Sequence, residues 1–308
     1  MTSIRSRACG GCPTLTAQVT PGTDCPRVGR VNASAPLPLD TATVALVTGA
    51  SSGIGAEVAR LLVAAGVTVI GTSRNPETVA HPVPGVRYLA LDHNDPDSIV
   101  RCAAQAGAVD ILINNAGTSH MGPLEDTSMD TVEMVFAANV FGPIALTKAL
   151  LPGMRERRRG TVVMVGSMLA SFPIPFRSTY AATKSAIKTY ADATRRELSP
   201  FGIGMVTVEP GTIATGIGDR RVYSVADDTA YRVDYETVAA ATRRNEDNGV
   251  PVEPMAQLIV RAALAQHPKP LYALGNKAPV VFALRRLLPR AAMLAVTARF
   301  HGLRSVPK

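Results

Sequence analysis

Short runs of Val, Ile and Leu alternate with longer segments whose apolar residues recur at helical spacing, beginning at residue 43. The apolar runs are continuous rather than alternating, which indicates strands buried on both faces. They predict six strands, at residues 43–48, 67–72, 86–91, 109–114, 161–167 and 203–210. Segments 54–66, 95–107, 130–155 and 178–199 predict helices, the third of them bent near Gly142-Pro143. Strands joined by helices of this length predict an α/β fold with right-handed crossovers and a parallel sheet.

The two ends of the chain depart from this pattern. Residues 1–40 are rich in Thr, Pro, Gly and Ser without periodicity, which predicts a disordered leader. Within it, Cys9-Gly-Gly-Cys12 lacks a nearby second ligand pair, so no metal site is predicted. We therefore predict a leader at 1–40, one domain at 41–299 that includes a substrate lid at 213–254, and a basic tail at 300–308.

Composition and charge exclude several classes of protein. The chain is 46% hydrophobic and 18% charged, which excludes a disordered chain. No apolar run approaches the ~18 uninterrupted residues of a spanning helix, which argues against an integral membrane protein. The net charge of +8 is local, because nine Lys and Arg but no acidic residue follow Glu253. With only 5% aromatic residues as well, no nucleic-acid partner is predicted. A single cysteine in the body of the chain favours a reducing, cytoplasmic compartment.

A glycine-rich turn joins the first predicted strand to the first helix. In this position Gly49 allows a tight turn, Gly53 lets backbone N–H groups approach a phosphate, and Gly55 permits close packing of helix on sheet. The helix N-terminus then presents its positive dipole end to an anion. The turn therefore predicts a dinucleotide site in a Rossmann-type doubly wound sheet, formed by Gly49, Ser51, Ser52, Gly53, Ile54 and Gly55.

The end of the second strand bears on the choice of dinucleotide. NAD sites place a carboxylate there to bind the ribose 2′-hydroxyl, but this chain has Ser73 and Arg74. A guanidinium binds a 2′-phosphate bidentately, whereas a carboxylate repels it. NADP(H) is therefore the predicted cofactor, and a solvated surface arginine is the alternative interpretation of Arg74.

A second constellation carries acid–base chemistry. Tyr180 and Lys184 are one helical turn apart and share a face, where the ammonium favours the phenolate. Such a tyrosine can give a proton to a carbonyl oxygen or take it back. Ser167, at the end of the fifth strand, could hydrogen-bond the same oxygen. Asn139 interrupts an apolar helical stretch, which indicates a functional role, whereas strand-end stabilisation is the simplest interpretation of Asn115.

Taken together, these motifs resemble the short-chain dehydrogenase/reductase family, and within it the NADP-preferring branch of hydroxysteroid dehydrogenases and acyl-dihydroxyacetone-phosphate reductases. The matching segments are TGASSGIG (48–55), NNAG (114–117), YAATK (180–184) and EPGTIAT (209–215), with Asp92, Asn139 and Ser167. Their order and spacing cover residues 43–215 and are far more specific than any single motif.

The resemblance implies a catalytic tetrad of Asn139, Ser167, Tyr180 and Lys184. In that family the tyrosine is the acid/base, the lysine also contacts the nicotinamide ribose, the serine orients the substrate and the asparagine holds a water. The resemblance further implies that Asp92 contacts the adenine and that Asn115 lines the cofactor cleft. It also implies a set of residues that bracket the nicotinamide, namely Pro210, Gly211, Thr212, Ile213 and Thr215.

The predicted function is that of an NADPH-dependent oxidoreductase in lipid or secondary metabolism. It reduces the ketone of a steroid-, lipid- or polyketide-like substrate to a secondary alcohol, or catalyses the reverse, because the flanks at 168–169 and 172–176 are apolar. A non-catalytic NADP-binding regulator or scaffold is the alternative. The basic, apolar segment 277–303 leaves two further alternatives, peripheral contact with a membrane or a packing helix that serves a homo-oligomer.

Overall fold

The computed structural model describes residues 43–303, so the predicted leader and the last five residues of the predicted tail lie outside the described part. A seven-stranded parallel sheet forms the centre, in the order β3-β2-β1-β4-β6-β7-β9. Its strands are β1 (Val44–Val47), β2 (Thr68–Ser73), β3 (Val86–Ala90), β4 (Ile111–Asn114), β6 (Gly160–Val165), β7 (Ile203–Pro210) and β9 (Leu271–Leu274). A small parallel pair joins β5 (His120–Met121) to β8 (Val222–Tyr223). The predicted Rossmann-type doubly wound fold is confirmed.

Helices cover both faces of the sheet. They are α1 (Gly53–Ala64), α2 (Pro96–Ala106), α3 (Met129–Phe136), α4 (Gly142–Arg157), α5 (Ser178–Leu198), α6 (Arg232–Asp247), α7 (Val252–Ala263), α8 (Ala278–Leu287) and α9 (Arg290–Phe300). Side chains alternate along each strand, so neighbours enter opposite core clusters. Val47 packs with residues of α1 and α7, whereas Leu46 packs with residues of α2, α4 and α5. Burial on both faces explains why the strands read as continuous apolar runs.

One predicted helix is divided in three by the structure. The α-helical hydrogen bonding of α3 gives way to a π-helical segment, Ala137–Phe141, before α4 begins at Gly142. The predicted bend near Gly142-Pro143 therefore lies at the end of this irregularity rather than at its centre. Gly142 is required there, because a Cβ atom would lie 2.4 Å from Cβ of His93. Such π segments occur often at functional sites, and this one contains Asn139.

The continuous helical run Met129–Arg157 has 29 residues and is long and apolar enough, by length and composition, to cross a membrane. Half of its most apolar stretch is buried inside the domain, where it packs against α2 and α5. Buried core residues such as Leu146, Leu150 and Met154 give this run the character of a core helix.

The seventh strand was not among the six predicted. β9 has only four residues, all half-buried, at the edge of the sheet beside β7. An edge strand of this length has neither a continuous buried run nor a clear alternation, so periodicity does not reveal it.

Candidate active site

The glycine-rich turn after β1 forms an open cradle at the N-terminus of α1. Gly49 and Gly53 have φ values of +66° and +55°, a region that other residues rarely adopt. A Cβ atom on Gly55 would lie 2.2 Å from the carbonyl oxygen of Gly49, so no larger residue fits there. Among the described residues, no side chain caps α1, and its first turn contains no acidic residue. Unsatisfied N–H groups at a helix start bind anions, so this cradle fits the phosphates of a dinucleotide.

Two further segments close on this turn. The side-chain Nδ2 of Asn115 donates to the carbonyl oxygen of Thr48 at 2.9 Å and ties the end of β4 to the turn. The side chain of Thr215 lies 3.4 Å from the position that a Cβ of Gly53 would take. Motifs that lie far apart in the sequence are thus brought to one edge of the sheet.

Arg220 is a residue near this turn that sequence reasoning did not identify. Its Nη1 donates to Oγ of Ser52, the N-cap residue of α1, at 2.8 Å. The guanidinium therefore adds positive charge where the helix dipole already favours an anion. No local motif marks Arg220, since only the path of the chain after β7 brings it there.

The remaining predicted cofactor residues lie along the carboxyl ends of the strands. Arg74 is exposed directly after β2, and Asp92 is half-buried after β3, where its carboxylate accepts from the N–H of Asn94 at 2.9 Å. After β7, Gly211 donates to the carbonyl oxygen of Leu274 at 2.7 Å. The strand order reverses between β1 and β4, and ligands of such sheets bind at that point. These contacts fix the chain on either side of it.

Asn139 is held rigidly within the π-helical segment. Its Nδ2 donates to the carbonyl oxygen of Thr118 at 2.9 Å and to Oγ1 of Thr183 at 3.1 Å. Its Oδ1 accepts from the N–H of Thr118 at 2.7 Å, and only 1% of the residue is exposed. A Cβ on Gly117 would lie 2.8 Å from Asn139 Oδ1 and 3.5 Å from Lys184 Nζ, so the glycine lets these two groups approach each other.

Tyr180 and Lys184 are both buried on the inner face of α5. Nζ of Lys184 lies 5.8 Å from the centre of the Tyr180 ring. The same Nζ donates to the carbonyl oxygen of Val165 at 2.9 Å, two residues before Ser167. Ser167 begins a short 3₁₀ turn, Met168–Ala170, which packs against α5. The structure thus brings Ser167, Tyr180 and Lys184 together where the carboxyl end of β6 meets the first turns of α5. Asn139 lies beside them, because its Oδ1 and Lys184 Nζ both lie close to Gly117.

A buried arginine also faces Tyr180 and was missed by sequence reasoning. The guanidinium carbon of Arg177 lies 4.8 Å from the centre of the Tyr180 ring, and only 5% of the residue is exposed. Burial lowers the pKa of Arg177 to about 10. Arg177 and Arg221 both donate to Oγ of Ser119, at 2.9 and 3.0 Å, and Arg221 also pairs with Glu246. The available signal was the spacing of three between Arg177, the N-cap residue of α5, and Tyr180 in its first turn.

The predicted lid is more ordered than a long loop. Within 213–254 lie β8, all of α6 and the start of α7. The segment is attached to residues after β5, because Tyr231 donates to Glu125 at 2.9 Å and the N–H of Ala226 donates to Asp126 at 3.1 Å.

The predicted apolar flanks are largely used in packing. Met168 and Phe172 are buried against residues of α8 and α9, and Ile174 is buried against residues of α6. Leu169 and Phe176 remain partly buried at the edge of that second cluster. The expected apolar wall beside Ser167 is therefore smaller than the sequence indicated.

A parallel sheet with a glycine-rich turn after its first strand, and with polar groups gathered at the carboxyl ends of the central strands, defines a Rossmann-type dinucleotide-binding enzyme. The profile of the family described as short chain dehydrogenase matches residues 43–223. This chain belongs to the short-chain dehydrogenase family, and it is an oxidoreductase of the kind that acts on CH–OH groups. The family uses NAD or NADP.

Individual relatives agree with this assignment. The chain is 35% identical over 281 residues to dehydrogenase/reductase SDR family member 7B of Xenopus laevis, covering 84% of this chain and 82% of the relative. It is 32% identical over 270 residues to 3-ketodihydrosphingosine reductase of Bacteroides thetaiotaomicron, covering 85% and 98% of the two chains. A crystal structure of a short-chain dehydrogenase from Streptomyces avermitilis superposes with a TM-score of 0.71 at 34% identity, covering 80% and 93%.

Proposed function

We propose that this chain catalyses the NADPH-dependent reduction of a ketone on a hydrophobic, lipid-like substrate to a secondary alcohol, or the reverse oxidation. The observation that carries the proposal is the buried pair on α5, in which the Lys184 ammonium lies 5.8 Å from the Tyr180 ring. A phenol beside an ammonium can release a proton to a carbonyl oxygen and keep the resulting phenolate. A protein that only binds a dinucleotide has no physical need for such a pair.

Each member of the tetrad has a separate task in this proposal. When bound, the nicotinamide supplies a hydride to the carbonyl carbon or takes it back. Tyr180 donates its phenolic proton to the carbonyl oxygen while negative charge develops there. Ser167 donates a hydrogen bond to the same oxygen and stabilises that charge. Lys184 stabilises the phenolate left on Tyr180, and Asn139 holds a water that returns the proton.

The substrate class is supported by one relative and by the surroundings of Ser167. The Bacteroides relative is named for the reduction of the 3-keto group of dihydrosphingosine, which is a lipid. The loop after Ser167 also keeps partly buried apolar side chains, Leu169 and Phe176, at the edge of the lid cluster. Apolar walls of this kind select apolar ligands. We infer that residues 213–254 form the lid over this substrate.

For the cofactor, the cradle of Gly49, Gly53 and Gly55 would hold the phosphates, with Arg220 beside it. Arg74 would bind the 2′-phosphate, because it is an exposed cation at the end of β2.

Replacing Arg74 with Glu is expected to weaken NADPH binding by about 10- to 100-fold and NADH binding by less than about threefold. The difference arises because a hydrogen bond to a charged group contributes about 1.5–3 kcal/mol, and only NADPH has the 2′-phosphate. The measurement is a fluorescence titration of each dinucleotide with the wild-type and variant proteins. Arg87→Glu is the matched control, because Arg87 is also exposed but lies near the amino end of β3, where it donates to the carbonyl oxygen of Gln105. An equal loss for both dinucleotides would remove Arg74 from the 2′-phosphate site.

The activity itself is tested by a panel of ketones with NADPH consumption as the signal. The panel pairs long-chain keto lipids with short, water-soluble ketones and sugars of matched reactivity. Turnover that is fastest with the long-chain ketones supports the proposal. Binding of NADPH without turnover of any member of the panel would contradict it and would favour a regulator or scaffold.

A further inference from the structure

The two C-terminal helices carry an unusual concentration of exposed apolar side chains. Of the fifteen large hydrophobic residues that are exposed among residues 43–303, seven lie between residues 280 and 300. They are Val280, Leu284, Leu287, Leu288, Leu294, Val296 and Phe300, and we call their exposed surface the α8–α9 face. The other eight are scattered over the rest of the domain. A contiguous apolar patch on a soluble domain marks an interaction surface.

The spacing of the exposed residues on α8 shows that they face outward together. Val280, Leu284 and Leu287 lie at i, i+4 and i+7 on α8 and so share one stripe. The opposite side of the helix packs inward, where Phe282 contacts the ring of Phe172 at a centroid distance of 5.0 Å. On α9, Met293 is buried in the domain, and the exposed residues do not form a single stripe. α8 is therefore packed against the domain on one side and exposed on the other, and α9 extends the exposed apolar surface.

The charge of the same segment identifies the partner. Lys277, Arg285, Arg286, Arg290 and Arg299 give it five cations, and no acidic residue occurs anywhere after Glu253. A second copy of the chain would oppose this face with the same positive charges, which disfavours a symmetric contact. Helices of 10 and 11 residues are also too short to span a bilayer. Apolar side chains combined with unopposed cations match the interface of a bilayer that contains anionic lipids.

We propose that the α8–α9 face docks on the surface of an anionic lipid bilayer. The apolar stripe inserts at the level of the acyl-chain boundary, and the exposed Arg286 and Arg290 contact the anionic headgroups. Neither helix crosses the bilayer, so the contact is reversible and weakens as salt screens the charges.

This docking has a consequence for the candidate active site that rests on the proposed function. The inner sides of α8 and α9 pack on the loop after Ser167, because Met168 and Phe172 share an apolar cluster with Ala278 and Met293. A docked molecule therefore holds that loop next to the lipid. A ketone dissolved in the bilayer would reach the site without crossing water.

The test is co-sedimentation of the full chain with vesicles, without substrate or dinucleotide. Vesicles of phosphatidylcholine with phosphatidylglycerol are compared with vesicles of phosphatidylcholine alone, at low and high salt. We expect strong binding to the anionic vesicles, weaker binding to the neutral ones, and a loss at high salt. Leu284→Glu with Leu287→Glu should reduce the binding by about tenfold or more, and Arg286→Glu with Arg290→Glu should do the same.

Matched controls come from α2, remote in sequence from this face. Val100→Glu alters a side chain that is 65% exposed, and Arg101→Glu reverses an exposed arginine, so both variants should bind as the wild type does. The proposal would be overturned if the wild-type protein did not bind anionic vesicles, or if the α8–α9 variants bound them as strongly as the wild type does. A dimer that dissociates on Leu287→Glu, without vesicle binding, would instead assign the face to self-association. Turnover of a short soluble ketone by the α8–α9 variants tests the proposed function separately, because it needs no membrane.

Discussion

The variant Tyr180→Phe is expected to lose about 10²- to 10⁴-fold in turnover while binding NADPH as tightly as the wild type. General acid–base catalysis contributes a factor of this size, and the substitution removes only the phenolic hydroxyl. The ring stays buried between Arg177 and the remainder of α5, so the fold is not expected to change. Turnover is measured with the best ketone of the panel, and binding is measured by fluorescence titration.

Tyr190→Phe is the matched control, because Tyr190 lies on the same helix and the substitution removes the same group. This control should keep wild-type turnover. A Tyr180→Phe protein with turnover within about threefold of the wild type would exclude Tyr180 as the acid/base.

The second large effect concerns stability, and it follows from a carboxylate buried at the end of β7. Glu209 is fully buried, and its Oε1 accepts from Nζ of Lys188 at 2.8 Å and from Oγ of Ser171 at 3.3 Å. Its Oε2 has no partner among residues 43–303. Lys188→Met should lower the free energy of unfolding by about 3–5 kcal/mol, because a buried charge is left without its counter-charge. The measurement is urea unfolding, with the midpoint and the slope both determined.

Two comparisons make that result specific. Lys148→Met changes an exposed lysine on α4 and should alter the free energy of unfolding by less than about 0.5 kcal/mol. The double variant Lys188→Met with Glu209→Gln removes both charges and should recover much of the lost stability. A loss below about 1 kcal/mol in the single variant would mean that water replaces the ammonium. Since Ser171 lies in the loop after Ser167, this ion pair also helps to hold the side of the site that contains Ser167.

The sequence predicted an element of the fold where the pattern that marks this element lies within a few neighbouring residues. Six of the seven strands of the sheet were predicted. Five of them are buried on both faces, which makes them continuous apolar runs, whereas edge strand β3 is partly exposed and was predicted from its remaining apolar residues. The glycine-rich turn was also predicted from a local cause, because its positive φ values at Gly49 and Gly53 favour glycine. Edge strand β9 was missed, because a half-buried strand of four residues has no distinctive period.

Within the site, the sequence predicted a set of candidate residues but not how the fold holds them. Tyr180 and Lys184 could be paired from helical spacing alone. The bond from Lys184 to Val165 depends on how α5 packs against β6, and no spacing predicts it. The π-helical segment that holds Asn139 was expected only as a bend, because a widened turn leaves no pattern in hydrophobicity.

What the sequence determined by itself is the alternation of strands and helices that builds the sheet as far as β7, and the turn after β1, because each depends on residues within one turn or one element. The acid–base chemistry of the α5 pair stays a prediction from helical spacing. Only the tertiary structure decided which cations converge on the site. Arg177 and Arg221 meet at Ser119, and Arg220 meets Ser52, through contacts between segments that are 58, 102 and 168 residues apart. It also decided which apolar residues remain exposed on α8 and α9. Contacts over such separations arise from packing of whole elements, which local pattern does not encode.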